Sequence, residues 1–117
     1  MKFPTAFDFL EEFGIEPAEV EPGMDYERYV KQSSDGLLEL DISFSAAALS
    51  FQVVFRSSSR EVMRVSSESL SRFEIRRDKS GSSLYLLFSF GEAWAEAIVT
   101  FDPELQCRWW ILKGTGP

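Results

Sequence analysis

One thiol, sixteen serine hydroxyls and nineteen carboxylates are the groups with which this sequence could do chemistry, and its 117 residues include no histidine to activate them. Histidine is the commonest general base, the usual activator of Ser and Cys nucleophiles and the commonest metal ligand, so most hydrolytic and metal-assisted mechanisms fall away. Cys107 alternates with Trp109 and Ile111. That period of two points the thiol into a core, where it behaves as a small inert hydrophobe. The serines fall in loops and on the polar side of alternating segments, and none pairs with a lysine at a motif spacing. No phosphate-cradling glycine loop, CxxC pair or EF-hand pattern occurs. Glu11, Glu12, Glu16 and Glu19 lack the alternating acids and glycine turn of a calcium loop and read as a solvated acidic face. Asp102 and Glu104 flank Pro103, where a turn explains the aspartate. Short connections leave little chain to build the deep cleft that paired glycosidase carboxylates need. No catalytic residue, metal or cofactor is expected, and the chain reads as a binding protein and not an enzyme.

The carboxylates then matter as a charge distribution. The net charge is −7, and residues 1–41 carry eleven acids against Lys2, Arg28 and Lys31, leaving the remainder nearly neutral. Such a surface repels phosphate backbones, which argues against direct nucleic-acid binding, and it attracts basic proteins. Solubility alone would also account for it. A second charged stretch holds Arg56, Arg60, Arg64, Arg72, Arg76, Arg77 and Lys79 among Glu61, Glu68, Glu74 and Asp78. The interleaved acids favour cross-strand ion pairing on a solvated sheet face over a nucleic-acid patch. The pair Trp109-Trp110 must send its rings to opposite faces of a strand, with Trp109 inward. Trp110 is then either packed under another element or exposed as an interface anchor. The residues expected to meet a partner are Asp8, Glu11, Glu12, Glu16, Glu19, Glu21, Asp25, Glu27 and Trp110.

These groups need a scaffold, and the hydrophobic period describes one. Thr5 and Asp8 are spaced as a capping box, Ala6, Leu10 and Phe13 (flanked by Phe7 and Phe9) form an apolar stripe, and Gly14 stops the helix. Pro22-Gly23 marks a turn, after which the period changes to two. Strands are predicted over Met24–Lys31, at Leu38–Ser45, through Leu49, Phe51, Val53 and Phe55, at Val62–Val65 and Phe73–Ile75, through Leu84, Leu86, Phe88 and Phe90, over Ala93–Phe101, and through Leu105 to Ile111. Trp94 and Ile98 make the Ala93–Phe101 segment apolar on both faces, as in a central or helix-covered strand. The expected fold class is α+β, mostly antiparallel β: a short N-terminal helix and a curved meander of seven to eight strands, as a half-barrel or a sandwich. One domain is expected over 1–117, with an acidic helix and loop at 1–23, the meander at 24–112 and a flexible tail at 113–117. The N-terminus turns acidic too early for a signal peptide, no window is apolar enough to span a membrane, and one cysteine fits a reducing compartment. A cytoplasmic location is expected.

The stretches Leu38-Glu39-Leu40-Asp41-Ile42-Ser43-Phe44-Ser45, Leu49-Ser50-Phe51-Gln52-Val53-Val54-Phe55 and Phe101-Asp102-Pro103-Glu104-Leu105-Gln106-Cys107-Arg108-Trp109-Trp110 resemble small bacterial immunity proteins of contact-dependent and Rhs-type polymorphic toxin systems. The resemblance covers residues 37–112. It implies a cytosolic protein that binds one cognate toxin domain, often a basic nuclease, and blocks it. Two other readings stay open. A type III-like secretion chaperone is also small and acidic, but such proteins end in a helix where this chain ends in strand-like sequence. A ligand-binding β-barrel would need a large open apolar pocket.

Overall fold

The computed structural model describes residues 1–114. Helix α1 (Ala6–Phe13) is followed by nine strands: β1 (Glu19–Glu21), β2 (Tyr26–Gln32), β3 (Leu38–Ser45), β4 (Ser50–Ser57), β5 (Arg60–Ser67), β6 (Leu70–Asp78), β7 (Gly81–Ser89), β8 (Ala93–Asp102) and β9 (Gln106–Lys113). They form two antiparallel sheets, β1-β2-β3-β4-β5 and β6-β7-β8-β9, with each strand beside its sequence neighbour except where β5 gives way to β6. Side chains from both sheets and from α1 share one core, so the molecule is a sandwich and the sheet does not close into a barrel. Of the predicted tail, Lys113 belongs to β9, and 115–117 lie outside the described residues.

The helix forms as its ends dictate. The Asp8 N–H donates to Thr5 Oγ1 at 3.2 Å and the Thr5 N–H to Asp8 Oδ2 at 2.8 Å. Gly14, at φ 68°, donates its N–H to the Leu10 carbonyl at 3.0 Å, a left-handed stop that costs glycine little. The buried stripe is not the expected one. Phe9 and Phe13 are buried, whereas Phe7 and Leu10 are 64% and 45% exposed. With aromatic residues on several faces, helical spacing alone did not decide which face turns inward. Phe9 stacks on Tyr29 with ring centroids 4.0 Å apart, and Phe13 on Phe101 at 4.2 Å, which binds α1 to both sheets.

The expected strands are present, and their limits shift for physical reasons. β1 is an addition: all three of its residues are exposed, so it carries no burial pattern, and it exists through its pairing with β2. Met24 belongs to a 3₁₀ turn (Pro22–Met24), and β2 begins at Tyr26. Leu49 sits at φ 50° before β4 and is exposed, and Phe90 lies just past β7. β5 and β6 run to eight and nine residues because the ladder holds their polar flanks, and buried Leu70 anchors the start of β6. β8 is an interior strand whose apolar outer residues, Trp94 and Ile98, remain half-buried on the far side of the sheet from the core. Ile111, expected inside, is 69% exposed at the end of edge strand β9.

Candidate partner-binding surfaces

Residues 3–27 contain eight acids and no base. The structure gives four of the eight a local task. Asp8 caps α1, and its hydrogen bonds with the Thr5 backbone and hydroxyl hold its carboxyl below the usual range. Glu12 accepts from the buried Ser82 hydroxyl at 2.7 Å and lies 3.3 Å from Arg77 Nε, tying α1 to the β6–β7 hairpin. Glu27 accepts from the Tyr29 hydroxyl, whose pKa is raised first by burial and then by that bond. Glu19 lies 3.9 Å from Arg28 across the β1–β2 pair. Glu11, Glu16, Glu21 and Asp25 are exposed and have no cation within 4.0 Å among the described residues. Asp8, Glu11 and Glu12 come together with Glu74 on an open cleft of about 720 Å³ that runs between the N-terminal segment, α1 and β6 and also holds Lys2 and Arg72. Trp110 is not part of this region. It lies on the outer face of the second sheet, while α1 packs into the core between the sheets.

The register of the first sheet creates a cluster that the sequence reading missed. Glu39 pairs with Arg56 and Ser43 with Arg28, so Asp41 lies diagonally between two arginines on the outer face. Arg28 grips it through Nε and Nη2, both at 2.9 Å, and Arg56 Nη1 bonds it at 2.8 Å while also reaching Glu39 at 2.8 Å. Asp41 is 5% exposed. Burial alone pushes its carboxyl pKa up, but the bonds from Arg28 and then Arg56 more than reverse this and hold it below the ordinary value. Replacing Asp41 by asparagine is expected to cost about 2 kcal/mol, since it strands two partly covered guanidinium groups. The native pKa is depressed, so this stabilisation is present at neutral pH and disappears as the pH falls below about 4 through the folded-state value. Urea denaturation of both proteins at pH 7 and pH 3 checks this. A gap of equal size at the two pH values would contradict it.

The outer face of the second sheet is built around another carboxylate. Glu96 is paired with Leu87 on β7 and Trp110 on β9, and Trp94 and Ile98 flank it on its own strand. Trp110 Nε1 donates to Glu96 Oε1 at 3.2 Å, and the Tyr85 hydroxyl donates to Oε2. Burial first, and then this bond, push the Tyr85 pKa up to about 12. Arg76 lies 3.7 Å over the Tyr85 ring and shares Glu74 with Arg72, at 3.0 and 2.9 Å, so the ion pairing here runs along β6 and not across strands as expected. The remaining reactive group, Cys107, packs against the core, and burial pushes its thiol up to about 11.

Among the described residues no helix is long and apolar enough to cross a membrane. No group of three or more His, Cys, Asp or Glu among them could hold a metal ion. No family model and no curated protein matches the sequence. A solved structure described as a contact-dependent growth inhibition toxin–immunity protein complex from Klebsiella pneumoniae 342 contains a chain that superimposes with a TM-score of 0.88, over 95% of this chain and 96% of that one. The two chains share one fold. Their sequences are 22% identical, so the likeness establishes architecture and not a shared partner. The expected resemblance to proteins of toxin–immunity systems therefore holds at the level of the fold.

Proposed function

We propose that this chain is an immunity protein that binds and neutralises the toxin domain of a contact-dependent growth inhibition system, acting by occlusion and not by catalysis. The observation that carries the reading is the end-to-end match in fold to a chain of a toxin–immunity complex. Three properties support the immunity side of such a pair. The chain has no histidine, and its most buried carboxylate is locked between two arginines that hold it ionised at neutral pH. Its thiol stays protonated at neutral pH and is a poor nucleophile. The N-terminal acids would meet a basic toxin surface in the cytosol, with Glu11, Glu16, Glu21 and Asp25 free to steer it and Asp8, Glu12, Glu19 and Glu27 adding charge from fixed positions. A nuclease would suit such an inhibitor. A secretion chaperone is disfavoured because the described residues form two antiparallel sheets with α1 as the one α-helix, and not a helix–strand–helix layering.

Co-expression with a cognate toxin domain of a contact-dependent growth inhibition system tests the reading. Growth should be restored with this chain, and equal loss of viability with and without it would overturn the proposal. With purified components, association should slow about tenfold from about 50 mM to about 500 mM salt. The triple change Glu11→Gln, Glu16→Gln and Glu21→Gln should slow it to a similar degree with little effect on dissociation. An association rate indifferent to both would remove the acidic surface from the account.

A further inference from the structure

We propose that Glu96, framed by Trp94, Ile98, Leu87 and Trp110 on the outer face of β6–β9, is the anchor for an arginine side chain of the bound toxin domain. This rests on the function proposed above and names where the partner is gripped. A carboxylate on an open sheet face normally has solvent or a cross-strand base beside it. Glu96 instead has apolar or aromatic neighbours at all four nearest positions, above and below on its strand and across on both adjoining strands. It also lacks a cation within 4.0 Å among the described residues, although three arginines share its face. Arg72 and Arg76 are committed to Glu74, and Arg108 lies opposite Ile98 with no ion pair among the described residues.

The carboxylate is also pre-positioned. The Trp110 indole N–H takes one oxygen and the Tyr85 hydroxyl the other, so its rotamer is fixed before any partner arrives. An ionised carboxylate accepts at about four lone-pair sites, so a pair remains for the parallel N–H groups of a guanidinium. The same guanidinium could lie against Trp94 or Trp110, and the surrounding apolar side chains would exclude water from the completed pair. Arginine meets these demands better than lysine because its donors are planar and forked. The neighbouring arginines make this face a poor attractor at long range. Its role is therefore in holding the complex, while the N-terminal acids speed encounter.

The experiment measures association and dissociation rates of the purified toxin domain with this chain and with Glu96→Gln and Ile98→Arg. Glutamine keeps one oxygen to accept from the Trp110 N–H, while its amide N–H donates to a Tyr85 hydroxyl that turns to accept, and arginine at the half-buried position 98 puts an internal cation beside Glu96 without entering the core. Each variant should dissociate about 30-fold faster or more, with an association rate close to that of the original chain. Thermal unfolding of the free variants checks that they fold. If the original chain binds and both folded variants dissociate within about twofold of it, the anchor is overturned and the function stands. If the original chain does not bind the toxin, the function is overturned and the anchor falls with it. Should Ile98→Arg not fold, Glu96→Gln alone decides.

Discussion

Phe9→Ala is expected to destabilise the protein by about 3–5 kcal/mol, out of a total that for a domain of this size is about 5–15 kcal/mol. The ring is wholly buried, stacks on Tyr29 at 4.0 Å and lies 5.8 Å from Phe44, so its removal opens a cavity at the junction of α1 with the first sheet. An eight-residue helix has too few turns to persist in water alone and depends on this docking. Glu11 and the Glu12 contact with Ser82 ride on the same helix, so loosening it should also slow capture of a basic partner. Urea denaturation with Phe7→Ala as control gives the check. Phe7 is 64% exposed on that helix and should shift stability by less than about 0.5 kcal/mol. Equal effects of the two changes would show that α1 does not dock through Phe9.

Gly81→Ala is expected to be as damaging, at about 3–5 kcal/mol, for a reason that does not involve a lost contact. Gly81 opens β7 at φ 137°, and a Cβ there would stand 1.7 Å from the backbone oxygen of Asp102 and 2.9 Å from Pro103 Cδ. The obstacle is backbone and ring, which cannot rotate away as a flexible side chain would, so the end of β8 must be pushed off β7. Gly36 supplies the comparison. It lies at φ 75° in a turn with nothing within 4 Å of its added Cβ, so Gly36→Ala should cost only about 1–2 kcal/mol, the strain of the left-handed conformation. Thermal unfolding midpoints of the two variants distinguish the cases, and a Gly81 variant no worse than the Gly36 variant would contradict the close approach.

What the chain reveals in advance follows from how local each determinant is. The capping box of Thr5 and Asp8, the Gly14 stop and the inward residues Leu40, Ile42, Phe44, Leu84, Leu86 and Phe88 depend on near neighbours and on parity, and all are legible. The same parity puts Trp110 on an outer face. β1 was not legible, because an exposed strand held by pairing leaves no hydrophobic trace. Nor was the point at which β5 leaves the first sheet and β6 starts the second, since short turns read alike whether they join or separate sheets. The two built carboxylates were hidden for a related reason. Asp41 and Glu96 read as ordinary polar positions on alternating strands, and only the register sets the first between Arg28 and Arg56 and the second among Leu87, Trp94, Ile98 and Trp110. Conversely, the N-terminal acids are visible as a charge run, but the sequence gives no sign that Glu12 and Glu27 are already engaged within the fold.

The scaffold is thus a two-sheet sandwich that carries a run of acids on its N-terminal segments and an ordered carboxylate, Glu96, among aromatic and apolar side chains on one outer face. Under the proposed function, the first would speed encounter with a toxin domain and the second would hold it. Titrating the purified toxin domain with this chain while following the toxin's own activity is the most direct trial. Activity should fall linearly and vanish at about one equivalent, as tight binding requires. Full toxin activity in the presence of a large excess of folded chain would contradict the account.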